Sequence, residues 1–465
     1  MRRAPIRLVL VATVAALTAT LGQGPAGAVE PDPIVPNLVP PPPPNPAEQR
    51  KHCTRAAGTG DSPTAIRALE DMNFRSVWPF TRGAGQTVAV IDTGVNPHPR
   101  LPDLVPGGDF VDLGGNGLTD CDAHGTLVAG LIAGRDAPGS GFAGGAPDSR
   151  IISIRQSSGA YSPKGSQDAV DNAGNTVGGY GDVTTMAAAI RKAADMGATV
   201  INISEVACRS AAQGIGDADR FVGSAVQYAV DVKDAVVVAA AGNVGEGSIC
   251  QQQNPHTNPV DPAASPWDRV YTIATPAWYD DYVLTVGAVD SSGAAAGFTL
   301  AGPWVDVAAP GDGLVSLDPD SPGLTNTTYD FHGNARPVSG TSFAAPLVAA
   351  TAALVRAHRP ELNAREVMDR IKATAHGAGE ARSPLVGYGI VNPLAAVTAD
   401  IPPAALSVEH HRSVAVDALP APEEPDLRPR NTALAGVGIL AAVFTLGVLA
   451  SFPLRRWRRG APDGE

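Results

Sequence analysis

Residues 235–241 read AVVVAAA, seven positions without one polar side chain. A strand built this way has no face to offer water, so it must be covered on both sides. Four other runs of strand length are nearly as apolar: TVAVID (87–92), RIISIR (150–155), ATVINIS (198–204) and YVLTVGAV (282–289). Between them lie HGTLVAGLIAG (124–134), VTTMAAAIRKAADMG (183–197) and FVGSAVQYAVDV (221–232), whose apolar residues recur at helical spacing. Covered strands alternating with helices predict an α/β domain, over about residues 64–399, with a mainly parallel central sheet. In such a sheet functional groups collect at the carboxyl ends of the strands. No internal repeat is visible, and residues 156–181, rich in Gly, Ser and Asn, read as a long surface loop.

The ends of the chain differ from its body. Residues 1–28 have a basic start (MRRAPIR), an apolar run and a small-residue Ala26-Gly27-Ala28 site, the pattern of a secretory signal peptide. Residues 29–63 are proline-rich, with PPPPP at 40–44, and read as extended chain. A Pro-rich linker is expected over 400–431. Residues 433–452 then run for 20 positions without a charge, long enough to span a bilayer, and Arg455, Arg456, Arg458 and Arg459 follow. The positive-inside rule predicts a transmembrane helix at 432–453, a cytoplasmic tail at 454–465 and the body outside, as in a single-pass type I protein of the plasma membrane. Setting aside the seven terminal arginines and the tail acids, the body carries 27 basic and 44 acidic side chains. That balance repels phosphate backbones and excludes nucleic acid as an expected partner.

Four cysteines, Cys53, Cys121, Cys208 and Cys250, fit an oxidising compartment and allow three pairings. None has the CxxC spacing of a zinc site, and no D-x-D-x-D-G calcium loop is present, so neither a metal nor a cofactor is expected.

Four short blocks carry the chemistry. TVAVID ends at Asp92, where the alternative role is a turn aspartate in D-T-G. His124 opens a helix of very small residues, HGTLVAG, that can pack closely and fix the imidazole. AVVVAAAGN ends in Gly242-Asn243, either a turn or an amide donor aimed at an oxyanion. SGTSFAAP puts Ser342 at the mouth of an apolar helix, a place that suits an N-cap as well as a nucleophile. Asp92 precedes His124 by 32 residues and His124 precedes Ser342 by 218. The order Asp, His, Ser is the chain order of subtilisin.

VAVIDTGV, HGTLVAG, AAAGN and SGTSFAAP together resemble the signature blocks of the subtilisin-like serine proteases, and GYGIVNPLAA (387–396) resembles their closing strand and helix. VAVIDTGVNPHPRL, PWDRVYTIATPAWYDDYVLTVGAVD and the two apolar ends resemble, more narrowly, the mycosins. The resemblance implies a three-layer subtilisin-like fold over 64–399 and a serine endopeptidase of protein substrates. It implies Ser342 as nucleophile, His124 as general base, Asp92 as its orienting acid and Asn243 as oxyanion donor. It also implies association with a type VII secretion membrane complex, and the pairings Cys53–Cys121 and Cys208–Cys250.

The chain departs from the common subtilase pattern in two places. Many subtilases carry Ser-x-Gly-Gly beside the substrate cleft; here NISEVACRS follows, with Ser204, Glu205 and Gly242 as expected cleft residues. Glu205 is expected to narrow the cleft or charge it, restricting the substrates. The extension 29–63 is too short and proline-rich for a folded prodomain, and is expected to wrap the catalytic body as a strap anchored through Cys53. An alternative function is a structural stabiliser of the secretion complex with proteolysis dispensable; a tethered binding module using the proline run is a third.

Overall fold

The computed structural model describes residues 34–43, 46–58, 67–165, 169–170, 176–177, 179–245, 248–255, 266–330, 333–377, 382–402 and 428–451. The expected signal peptide, most of the linker and the basic tail lie outside these residues. The chain divides into two compact units, Met1–His411 and Arg412–Glu465.

The five apolar runs become five strands of a nine-stranded sheet in the first unit. In chain order the nine are β1 (Thr87–Asp92), β2 (Leu104–Asp109), β3 (Arg150–Arg155), β4 (Val200–Ile203), β5 (Val236–Ala240), β6 (Leu284–Val289), β7 (Val305–Pro310), β8 (His376–Gly377) and β9 (Gly389–Ile390). Their spatial order is β8-β9-β7-β6-β5-β4-β1-β3-β2. Every pairing is parallel except the short β8–β9 edge. The residues of β5 and β4 are all buried, as their composition requires. At about 1.5–3 kcal/mol for each fully buried Val, Leu or Ile, this sheet is the main source of cohesion.

Helices α1 (His124–Ala133), α2 (Val183–Asp195), α4 (Thr341–His358) and α5 (Ala364–Thr374) pack on it, and α3 (Asp217–Gln227) packs against α2. Asp182 caps α2, its carboxylate accepting the N–H groups of Thr184 and Thr185 at 2.8 Å each. α4 is buried continuously from Thr341 to Val355 and lies against β4, β5 and β6. Its sequence of Ala, Val and Leu on all faces therefore marks a helix inside the core. The GYGIVNPLAA stretch forms β9 and a short helix, Pro393–Thr398, capped by the Asn392 side chain.

β1 lies between β4 and β3, and β4 lies between β1 and β5. Asp92 at the end of β1, Ser204 and Glu205 just past β4, and Asn243 just past β5 thus share one edge of the sheet.

The described parts of the proline-rich extension lie along the first unit. Ala47–Gln49 pairs antiparallel with Tyr161–Pro163, inside the segment expected to be a long surface loop. Arg55–Gly58 pairs antiparallel with Leu324–Tyr329, and the Leu38 N–H donates to Ser224 Oγ at 2.9 Å. Backbone pairing is what a chain too short to bury a core can still offer, because each strand needs only an open neighbouring edge. Cys53 is bonded to Cys121, and Cys208 to Cys250. The Cys53–Cys121 bond joins residues 68 apart, so chain-entropy reasoning gives it about 4 kcal/mol. Replacing both by serine is expected to lower the unfolding free energy by roughly that amount, read as a lower urea midpoint with a somewhat steeper slope, because the freed denatured chain exposes more surface.

The second unit is described over one helix, Arg428–Ser451, on which Leu440, Val443, Phe444 and Leu446 are exposed. Among the described residues no helix is long and apolar enough to cross a membrane.

Candidate active site

β1 delivers Asp92 fully buried, and α1 begins at His124 on the opposite side of a narrow gap. The approach is this close because residue 125 is glycine: a Cβ there would stand 2.0 Å from the Gly94 carbonyl oxygen. His124 Nδ1 lies 2.7 Å from Asp92 Oδ1, and its Nε2 lies 2.9 Å from Ser342 Oγ. The Phe343 ring packs against the imidazole at 4.9 Å between centroids.

Further groups hold this line. The Thr93 N–H donates to Asp92 Oδ1 at 2.8 Å. The Thr93 hydroxyl donates to Asp120 Oδ1 at 2.9 Å and accepts the Gly125 N–H at 3.0 Å. Thr126 donates to Asp120 Oδ2 through both its N–H (2.8 Å) and its hydroxyl (2.6 Å). Thr93, Asp120 and Thr126 thus tie the end of β1 to the first turn of α1, although nothing in their types alone singles them out. The D-T-G and D-x-D-x-H-G-T spacings contain all three, and are the signal that could have found them.

On the other side of Ser342, the Asn243 carboxamide is oriented by Thr341. Asn243 Oδ1 accepts the Thr341 N–H at 2.9 Å and its hydroxyl at 3.0 Å, and the Thr341 Oγ1 accepts the Gly242 N–H at 3.2 Å. Thr341 has the look of a helix cap in the sequence, but the N-cap of α4 is Gly340 and no side chain caps it. With Oδ1 engaged, Asn243 turns its NH₂ toward the serine. A Cβ on Gly340 would sit 3.2 Å from Asn243 Nδ2 and 3.0 Å from Ser342 Oγ, so these two atoms face a shared space that glycine keeps open. Gly340 has φ 154°, a conformation that also favours glycine. Gly340→Ala is expected to lower kcat/KM at least about a hundredfold through misplacement at the serine. Peptidase kinetics beside a thermal melt would separate this from unfolding.

The expected cleft residues are used differently. The Ser204 hydroxyl donates to the Ser342 carbonyl at 2.7 Å and accepts from Asn202 Nδ2 at 2.9 Å, so it is committed to seating the serine. The Gly242 N–H is held by Thr341. Glu205 comes closest to the chemistry: Asp92, His124 and Glu205 each offer an atom within 4.8 Å of the other two. Both imidazole nitrogens of His124 are already engaged, which argues for an electrostatic cluster here and against a metal centre.

The charges follow from burial and proximity. Burial works against a cationic His124, but the charge and hydrogen bond of Asp92, then Glu205 and Asp120, outweigh it and raise its pKa to about 9. Burial, with the neighbouring Asp122 charge working in the same direction, raises Asp120 to about 6 against its bonds from Thr126. Chemically, a serine hydroxyl on an imidazole, with a carboxylate behind it and an amide donor beside it, is the equipment for acyl transfer.

A family model described as the subtilase family matches residues 83–389. Mycosin-4 of Mycobacterium tuberculosis is 48% identical, over 98% of this chain and 98% of its own. The chain belongs to the mycosins, within the subtilase family. Among solved structures, the MycP3 protease from the type VII (ESX-3) secretion system is 44% identical, with a TM-score of 0.71 over 80% of this chain and 100% of its own. A chain of an intact ESX-5 inner membrane complex is 41% identical, with a TM-score of 0.71 over 92% of this mycosin and 98% of its own length. This mycosin is accordingly a subtilisin-like serine endopeptidase with an α/β fold.

Proposed function

We propose that this mycosin cleaves secreted protein substrates at the outer face of the plasma membrane, as a component of a type VII secretion membrane complex. Ser342 Oγ attacks the scissile carbonyl carbon. His124 takes the hydroxyl proton through Nε2 and returns it to the leaving amine; Asp92 holds the ring in the required tautomer and stabilises the imidazolium. Asn243 Nδ2 and the Ser342 N–H receive the oxyanion at the N-terminus of α4. The observation that carries this reading is the unbroken line Asp92–His124–Ser342, with contacts of 2.7 and 2.9 Å.

Association with a secretion complex is supported by the relative found in the ESX-5 inner membrane complex, which matches this chain almost end to end. Anchoring by one helix is supported by the 20 uncharged residues of 433–452 and the arginines that follow. The test is complementation of a strain lacking the gene. Wild-type chain should restore both secretion and processing of the secreted substrate, and Ser342→Ala at equal protein levels should leave the substrate uncut. Unchanged processing with Ser342→Ala would overturn the assignment.

A further inference from the structure

Glu205 stands where many subtilases have an open glycine-bordered cleft, and its side chain is not directed away from the chemistry. β4 and β1 are hydrogen-bonded neighbours in register, Ile203 opposite Ile91. The chain therefore leaves β4 alongside Asp92, and the Glu205 carboxylate comes within 4.8 Å of ligand atoms on both Asp92 and His124. Asp92 is wholly buried, and the His124 side chain is only 24% exposed, so water screens these charges weakly.

We propose, resting on the triad reading above, that Glu205 acts through the general base: a second carboxylate beside Asp92 that stabilises the imidazolium form of His124 and so restrains the resting peptidase from neutral to mildly alkaline pH.

The groups facing the imidazole come from every element around it. Asp92 ends β1, Asp120 and Asp122 precede α1, Glu205 follows β4, and Ser342 and Phe343 open α4. Apart from the neutral Ser342 and Phe343, these are acids. The nearby Arg155 acts on Asp122 and pairs with Asp109 at 3.6 Å. Burial first, then the Asp92 charge, push the Glu205 carboxyl up to about 7, while His124 and a hydrogen bond from Ser157 pull it back. The charges of Glu205 and His124 thus act on each other. Asp92 alone supplies the orientation a triad needs, because it binds Nδ1 directly. Glu205 adds charge without occupying either imidazole nitrogen, which makes it a control on protonation.

Only neutral His124 can accept the serine proton, so reactivity rises with pH through the titration of His124, and a neighbouring anion moves that rise upward. Glu205→Gln keeps the shape and removes the charge. The experiment measures the labelling rate of Ser342 by a limiting fluorophosphonate probe from pH 5 to 10, on the full-length, detergent-solubilised chain, for wild type, Glu205→Gln and Glu205→Asp. The expected result is a midpoint for Glu205→Gln about one pH unit below wild type, with labelling about threefold faster near pH 8, where Glu205 is largely ionised in the wild type. Glu205→Asp, which keeps the charge, should stay near wild type. An unmoved midpoint in Glu205→Gln, even with a changed maximum rate, would overturn the inference and leave the triad intact. A shift of Glu205→Asp equal to that of Glu205→Gln would also overturn it, since charge would not be the agent. Absence of labelling in folded wild type at every pH would overturn the triad reading and this inference together.

Discussion

Ser342→Ala should abolish peptide hydrolysis, lowering kcat by about 10⁶-fold, the size of the loss when subtilisin is deprived of its serine. The substitution removes one buried oxygen whose partner is His124 Nε2, at 2.9 Å. It leaves the Ser342 carbonyl bonded to Ser204 and the Thr341 clamp on Asn243 untouched. α4 is held by a core that runs from Thr341 to Val355, so the melting temperature should hardly change. His124→Ala should cost a similar factor, and the double variant little more than either single one, because the residues act as a unit. Independent, multiplicative losses would contradict a shared proton-transfer step.

Asn243→Ala should lower kcat by about 10²–10³-fold with KM nearly unchanged, the magnitude known for the corresponding amide of subtilisin. Asn243 Nδ2 faces the space beside Ser342 Oγ where a tetrahedral oxygen would form, so its contribution is made chiefly in the transition state. Thr341 acts through the same amide. Its N–H and hydroxyl both hold Asn243 Oδ1, so Thr341→Val, which keeps the N–H bond and loses the hydroxyl bond, should loosen the amide and produce a milder loss of the same kind, in kcat and not in KM. A loss confined to KM in either variant would place Asn243 in ground-state binding.

The sheet was legible because β5 and its neighbours contain almost nothing but hydrocarbon, and such strands have a single stable environment. Asp92, His124, Asn243 and Ser342 were legible because each sits at an abrupt change, the end of an apolar strand or the mouth of an apolar helix, and the structure brings these four together. The rest depends on pairings between distant segments. Nothing local says that Ala47–Gln49 will pair with Tyr161–Pro163, or that the Thr93 hydroxyl will bridge Asp120 and Gly125. Thr341 misleads because a helix mouth favours hydroxyl caps, while here its hydroxyl serves a residue 98 positions earlier. Glu205 could be assigned to the cleft from its motif, but its approach to Asp92 follows from the adjacency of β4 and β1, which the order of strands along the chain does not reveal.

If Asp92, His124 and Ser342 form a competent nucleophile, active-site titration will show it most directly. The full-length chain would be treated with a fluorophosphonate probe at pH 9, beside Ser342→Ala and His124→Ala. Stoichiometric labelling of wild type, none of Ser342→Ala and strongly slowed labelling of His124→Ala are the predicted results. Labelling of Ser342→Ala equal to wild type, or no labelling of well-folded wild-type protein, would contradict the account.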